Sequence, residues 1–145
     1  MPKAIARIQE PARSIPVWYD ADVLVCGGGT AGVAAAVCAA RLGLSVVVVE
    51  MTGQPGGMAS QVCSWLNDFD NKGGFAKEWL NHLESIGAYV RPNYNPFAVV
   101  PYFDQLLTEN NIRALYFALA APPLVEDGRV QGAVIESNSG RGAVK

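Results

Sequence analysis

The chain has 145 residues, half of them hydrophobic, with 11 Lys and Arg against 13 Asp and Glu and a net charge of −2. That length makes one domain able to bury roughly 70% of its unfolded surface. The charge balance gives neither nucleic acid nor an anionic membrane an attraction to it, which leaves a small molecule as the expected partner.

The first twenty residues carry Lys3, Arg7, Glu10, Pro11 and Arg13 without an apolar core of signal-peptide length, and no run approaches the roughly 18 apolar residues of a membrane helix. Residues 1–20 therefore read as an N-terminal arm, and a cytoplasmic location is expected. Three cysteines, an odd count, agree with a reducing compartment.

The segment from Asp22 to Glu50 holds a strand, a glycine turn, a helix, a second strand and a terminal acid, in the order that a dinucleotide site requires. Val23, Leu24, Val25 and Cys26, and later Val46 to Val49, are continuous apolar runs of the kind found in parallel strands buried on both faces. Gly27, Gly29 and Gly32 form a G-x-G-x-x-G. The first permits a tight turn, the second lets a pyrophosphate approach the backbone, and the third lets helix and strand pack closely. With Gly28, Thr30 and Ala31 they are the candidate phosphate cradle. The helix is expected from about Thr30 to Arg41 and Gly43, its free N–H groups and positive dipole end facing the anion. Glu50 ends the second strand where a carboxylate accepts hydrogen bonds from ribose hydroxyls and repels a 2′-phosphate. Met51 follows it in the candidate set.

A nicotinamide domain continues directly into another helix and strand. Here a second glycine-rich loop follows, Met-Thr-Gly-Gln-Pro-Gly-Gly-Met-Ala-Ser from Met51, and the next strand candidate is Ile112 to Leu119. The inserted length suits an elongated cofactor, and FAD fits best. Between them, Phe75, Trp79, Leu80, Leu83 and Ile86 predict an amphipathic helix over Gly74 to Ile86, and Val100, Phe103, Leu106 and Leu107 another over Phe97 to Glu109. Arg129 to Ser137 alternates, and Asn138-Ser139-Gly140 turns it into Gly142 to Lys145 as an antiparallel hairpin.

The glycine motif, Glu50 and the Gly56-Gly57-Met58-Ala59 that follows resemble the FAD-dependent oxidoreductases of the glutathione-reductase-like superfamily, most closely a bacterial branch with GGGTAGVAAA, Glu, then GGMA. The approach from Glu10 to Val17, the helix from Phe97 and the stretch Val125 to Val134 extend the resemblance from about residue 10 to the end. It implies that Gly56, Gly57 and Met58 lie along the pyrophosphate and ribityl part of FAD and that the backbone near Ala121 touches adenine. Pro122-Pro123 depart from the pattern by removing two N–H donors.

The resulting expectation is an α/β Rossmann-like FAD/NAD(P)-binding fold, with a parallel central sheet and a C-terminal β-hairpin. It describes the FAD-binding part, residues 21–145, of a flavoprotein oxidoreductase acting on a small substrate by two-electron transfer. Two other readings stay open, a non-catalytic nucleotide-binding remnant and an NAD-dependent dehydrogenase domain. In the resembling family a closing strand and a substrate domain follow. The chain is therefore expected to be incomplete and inactive alone, with an unpaired first strand that self-associates or takes a complementing chain.

No residue qualifies as a catalytic acid or base. No metal is expected: Asp68-Phe69-Asp70-Asn71-Lys72-Gly73 lacks a calcium loop's closing acid, and His82 with Glu78 lacks a third ligand. Cys26 and Cys38 read as buried small hydrophobes. Cys63 reads as a core or lining thiol ahead of a redox or flavin-linked one.

Overall fold

Four consecutive valines favour an extended chain covered on both faces, and Val46–Val49 form the central strand of the molecule, every side chain buried. The computed structural model describes residues 5, 6, 8–62 and 71–145. In chain order its elements are β1 (Val17–Tyr19), β2 (Val23–Cys26), α1 (Thr30–Arg41), β3 (Val46–Val49), α2 (Met58–Gln61), α3 (Gly74–Ser85), β4 (Tyr89–Val90), β5 (Asn93–Tyr94), α4 (Val99–Glu109), β6 (Arg113–Leu115), β7 (Ala118–Glu126), β8 (Arg129–Ser137) and β9 (Gly140–Val144). A three-stranded parallel sheet has the order β2-β3-β6, and a second sheet the order β1-β9-β8-β7.

Successive side chains of a strand point to opposite faces, so β3 serves two cores. Val46 and Val48 pack among the helices, while Val47 and Val49 pack against the second sheet, with Ala118, Ile135 and Val144. On the helical side α1 contributes Val33, Ala36 and Val37, α3 contributes Trp79 and Leu83, and α4 contributes Val99, Phe103, Leu106 and Leu107. Trp79 meets Phe103 and Tyr94 edge-on at 5.8 and 5.6 Å between ring centroids, a geometry that adds about 0.5–1.5 kcal/mol per pair to the burial itself. The Arg41 guanidinium forks onto the Glu78 carboxylate at 2.7 and 2.6 Å and ties α1 to α3.

The parallel sheet, the helices and the C-terminal hairpin agree with the sequence pattern, and three details differ. Ile112 to Leu119, read as one strand, breaks at Phe117, whose φ of 50° lies in the left-handed region. Arg113–Leu115 pairs with β3, whereas from Ala118 the chain joins the other sheet. Strand β7 then runs through Pro122 and Pro123, tolerated at a register shift between Ala120 and Pro123. It is turned into β8 by Asp127 and Gly128, with φ of 48° and 75°. Val17–Tyr19, inside the N-terminal arm, is a strand parallel to β9. Cys26 and Cys38 are exposed, not buried. Cys26 ends a strand whose pairing among the described residues is with β3 alone. Cys38 falls on the outer face of α1, one position past the buried Val37.

A Cβ added at Gly32 would stand 1.8 Å from the Gly27 carbonyl oxygen and 3.3 Å from Val25 Cγ1. Only a hydrogen fits between α1 and the turn that precedes it. Gly32→Ala must displace the helix from the sheet, at an expected cost of about 3 kcal/mol. A urea unfolding midpoint equal to the parent's would show that the helix sits further from the turn than described.

Candidate functional site

Strand β2 ends at Cys26 and α1 starts at Thr30, so three glycines make the whole connection. Gly27 has a φ of 115°, a conformation that a side chain disfavours, while its N–H still bonds the Val49 carbonyl at 2.7 Å. The turn therefore stays against the sheet and the helix begins directly beyond the strand ends. No side chain caps α1 and no acid lies in its first turn. The N–H groups of Thr30, Ala31 and Gly32 precede the first i→i−4 bond of the helix, Val33 N–H to the Gly29 carbonyl. This end of the dipole attracts an anion.

Gly29 separates packing from function at the turn. Its backbone, at φ −65° and ψ 177°, is open to any residue, and an added Cβ would meet nothing within 4 Å. Neither strain nor a protein contact calls for glycine there. The space beside it is open to a ligand.

The second glycine loop lies against this one. Gly56 pairs with Gly29 as a parallel bridge, the Gly56 N–H donates to the Gly28 carbonyl at 2.8 Å, and the Thr30 hydroxyl donates to the Gly56 carbonyl at 3.3 Å. A Cβ on Gly57 would stand 3.1 Å from Gly29 Cα. Residues far apart in sequence thus form one bare backbone surface. Met51 and Met58 border it, 67% and 73% exposed.

Glu50 closes the other side. Its side chain is buried, yet Oε2 accepts from the Gly28 N–H at 2.6 Å, and Oε1 accepts from the Thr52 N–H at 2.7 Å and the Thr52 hydroxyl at 2.8 Å. Burial pushes its pKa up, and the hydrogen bonds from Thr52 and Gly28, helped by the nearby Met51 N–H, outweigh burial, holding the carboxyl below its ordinary value. An ionised carboxylate has about four lone-pair sites. With three donors in place, acceptor capacity remains for a ligand hydroxyl, and a phosphate is repelled.

Beside Glu50 a cleft of about 290 Å³ is lined by Cys26, Gly27, Met51, Leu119 and Ala120, among others. Gly27 to Gly32, Glu50, Gly56 and Gly57 are brought together around this corner. Ala121 lines a neighbouring cleft of about 840 Å³, with Asp20, Asp22 and Leu24, and Cys26 borders both. Thr52, Leu119 and Ala120 were not singled out from the sequence. For Thr52 the available signal was a hydroxyl two residues after a strand-ending acid.

His82 stacks on Tyr102 with ring centroids 3.7 Å apart, and Glu78 is engaged by Arg41. Among the described residues no group of three or more His, Cys, Asp or Glu could hold a metal ion, and no helix is long and apolar enough to cross a membrane. Cys63 and Asp68 to Asp70 lie outside the described residues.

Because the folded state lowers the Glu50 pKa, its ionised form contributes stability above the unfolded-state value of about 4.3 and loses it as pH falls toward the folded-state pKa. The stability lead of the parent over Glu50→Gln is expected to be largest near pH 7 and to shrink below about pH 4. Urea midpoints across that range check this, and a lead that grows on acidification contradicts it.

A family model described as FAD dependent oxidoreductase matches residues 22–145. No curated protein matches the chain by sequence. Among solved structures, the chain is similar to 3-ketosteroid-delta4-(5alpha)-dehydrogenase from Rhodococcus jostii RHA1, with 19% identity, a TM-score of 0.62, and coverage of 89% of this chain and 44% of that one. It is also similar to the myxobacterial chondrochloren halogenase CndH, described as a variant of FAD-dependent halogenases, with 14% identity, a TM-score of 0.65, and coverage of 87% and 35%. L-proline dehydrogenase from P. horikoshii gives 18% identity, a TM-score of 0.62, and coverage of 92% and 22%. At these identities the likeness is one of fold, and the chain spans less than half the length of each. The match over residues 22–145, most of the chain, makes this protein a member of the FAD dependent oxidoreductase family.

Proposed function

We propose that the chain is the FAD-binding portion of an oxidoreductase that passes two electrons between the flavin and a small-molecule substrate. One observation carries the reading. Two glycine loops from distant parts of the sequence are bonded edge to edge, Gly28 to Gly56, and the same Gly28 holds the Glu50 carboxylate. The cradle has the donor set for a dinucleotide: free amides at the start of α1 for a pyrophosphate, and a charged acceptor for a diol.

On this reading Gly27 to Gly32 hold the pyrophosphate, Glu50 takes the adenosine ribose hydroxyls, Gly56 to Met58 continue along the ribityl chain, and the β7 backbone near Ala121 or its neighbours Leu119 and Ala120 meets adenine. When bound, FAD supplies the two-electron chemistry, and the protein's part is to bind, orient and shield it. An acceptor at Glu50 and a second glycine loop beside the first favour FAD over NADP. Among the described residues β2 pairs on one side only, which supports self-association or a complementing chain along that edge.

Flavin binding by the 145-residue chain, followed by fluorescence quenching, tests the assignment. Glu50→Ala removes acceptors of charge-assisted hydrogen bonds and is expected to weaken FAD binding by roughly 10- to 100-fold. Gly29→Val fits the extended backbone, leaves helix content at the parental level, and should abolish binding by filling the phosphate's approach. FAD bound at parental affinity by both variants would place the cofactor elsewhere.

A further inference from the structure

Glu50 is held in place by a neighbour, and that neighbour is itself anchored. We propose that Thr52 is a positioning residue of the cofactor site, fixing the Glu50 carboxylate in the one orientation that receives the ribose of FAD. This deepens the functional reading above and rests on it.

Thr52 supplies two of the three donors on the carboxylate, its N–H and its hydroxyl, both to Oε1 at 2.7 and 2.8 Å. Gly28 holds Oε2 from the glycine turn at 2.6 Å. With each oxygen bonded to a different segment, the plane of the carboxylate is fixed about its last torsion, which is otherwise broad. The hydroxyl has one proton and a second acceptor nearby, the Gln54 carbonyl at 2.9 Å. An ionised oxygen is the stronger acceptor, so the proton goes to Glu50.

The anchoring of Thr52 comes from the break between β6 and β7. The Phe117 N–H donates to the Thr52 carbonyl at 3.1 Å, the Glu50 N–H donates to the Leu115 carbonyl at 2.9 Å, and the Ala118 N–H donates to the Glu50 carbonyl at 3.0 Å. Phe117 reaches this bond only through its left-handed φ of 50°, an uncommon state for an aromatic residue. Its ring covers Gly53, where an added Cβ would stand 2.5 Å from Cζ. The bend that ends the parallel sheet thus also clamps the residues that follow Glu50.

Among the described residues, Tyr116, on the same bend, couples electrostatically to Glu50, and Cys26 lines the same cleft. Tyr116 has its pKa raised by burial and then by Asp104, which accepts its hydroxyl at 2.6 Å, Cys26 has its own raised by partial desolvation at the cleft, and both are neutral at neutral pH. The influences that lower the Glu50 pKa are hydrogen-bond donors, those of Thr52 foremost.

The experiment is an NMR titration of the Glu50 carboxyl in the flavin-free 145-residue chain, with Glu50→Gln identifying the signal. FAD affinity is measured in parallel from about pH 4 to 8. Thr52→Val keeps the shape and the N–H but removes the hydroxyl proton. It is expected to move the carboxyl titration to higher pH and to weaken FAD binding about 3- to 10-fold, most strongly on the acid side. Thr52→Ser should restore both. A loss of packing alone would weaken binding evenly at all pH values and leave the titration where it was. An unchanged titration in Thr52→Val overturns the assignment of Thr52 whether or not flavin binds. A shifted titration with FAD affinity equal to the parent's at every pH shows that Thr52 holds Glu50 without serving the cofactor, and overturns the proposal. Absence of FAD binding by the parent at every pH contradicts the functional reading itself, and with it the cofactor role given to Thr52.

Discussion

The hydrogen bond from the Gly28 N–H to Glu50 Oε2, at 2.6 Å, is the constraint around which the site is built. It joins the turn after β2 to the acid after β3. The Gly28 carbonyl in turn receives the Gly56 N–H. One peptide neighbourhood therefore connects the first glycine turn, Glu50 and the second glycine loop. A charged, buried acceptor makes such a bond strong, worth about 1.5–3 kcal/mol, and makes its loss costly because the charge would remain buried. The geometry also explains the absence of a side chain at position 28, where an added Cβ would lie 3.0 Å from Glu50 Cβ.

This corner is held in place by the layers beneath it. Strand β3 is shared by two cores, so its last residue, Glu50, inherits its position from packing on both faces. The helical core fixes where α1 starts, through Val33, Ala36 and Val37 against the sheet and through the Gly32 contact with Gly27. The second sheet supplies the wall opposite, where Ala118, Leu119 and Ala120 line the cleft. Site geometry and stability are coupled at Gly32 and Glu50 but separate at Gly29, where an added Cβ would meet no protein atom within 4 Å.

Much of this was legible in the sequence wherever one residue type had one structural use. The valine run and the glycine turn read correctly as a central strand and a strand-to-helix connection, because buried parallel strands and a tight turn demand those residues. The second glycine loop was legible as a loop, but its bonding to Gly28 was not, since that pairing depends on the fold of everything between. The Phe117 break was hidden because β-propensity through Ile112 to Leu119 is uninterrupted. The left-handed residue there is an aromatic, not the glycine or asparagine that would announce it. The turn at Asp127-Gly128 did carry a recognisable signal, and the prolines of β7 obscured the strand leading into it. The cysteines misled for a simpler reason. An apolar sequence neighbourhood does not by itself bury a side chain: Cys26 stands at the end of a strand whose described pairing is one-sided, and Cys38 on the outward face of α1.

The central claim is that the two glycine loops and Glu50 are a single cofactor cradle. Backbone amide NMR of the 145-residue chain, with FAD added, addresses it most directly. The account predicts shifts concentrated at Gly27 to Gly32, at Glu50 to Met58 and at Leu119 to Ala121, with the α3 amides unmoved. Shifts confined to the separate cleft lined by Trp18, Tyr116 and Phe117, or spread without regard to the glycine loops, would contradict it.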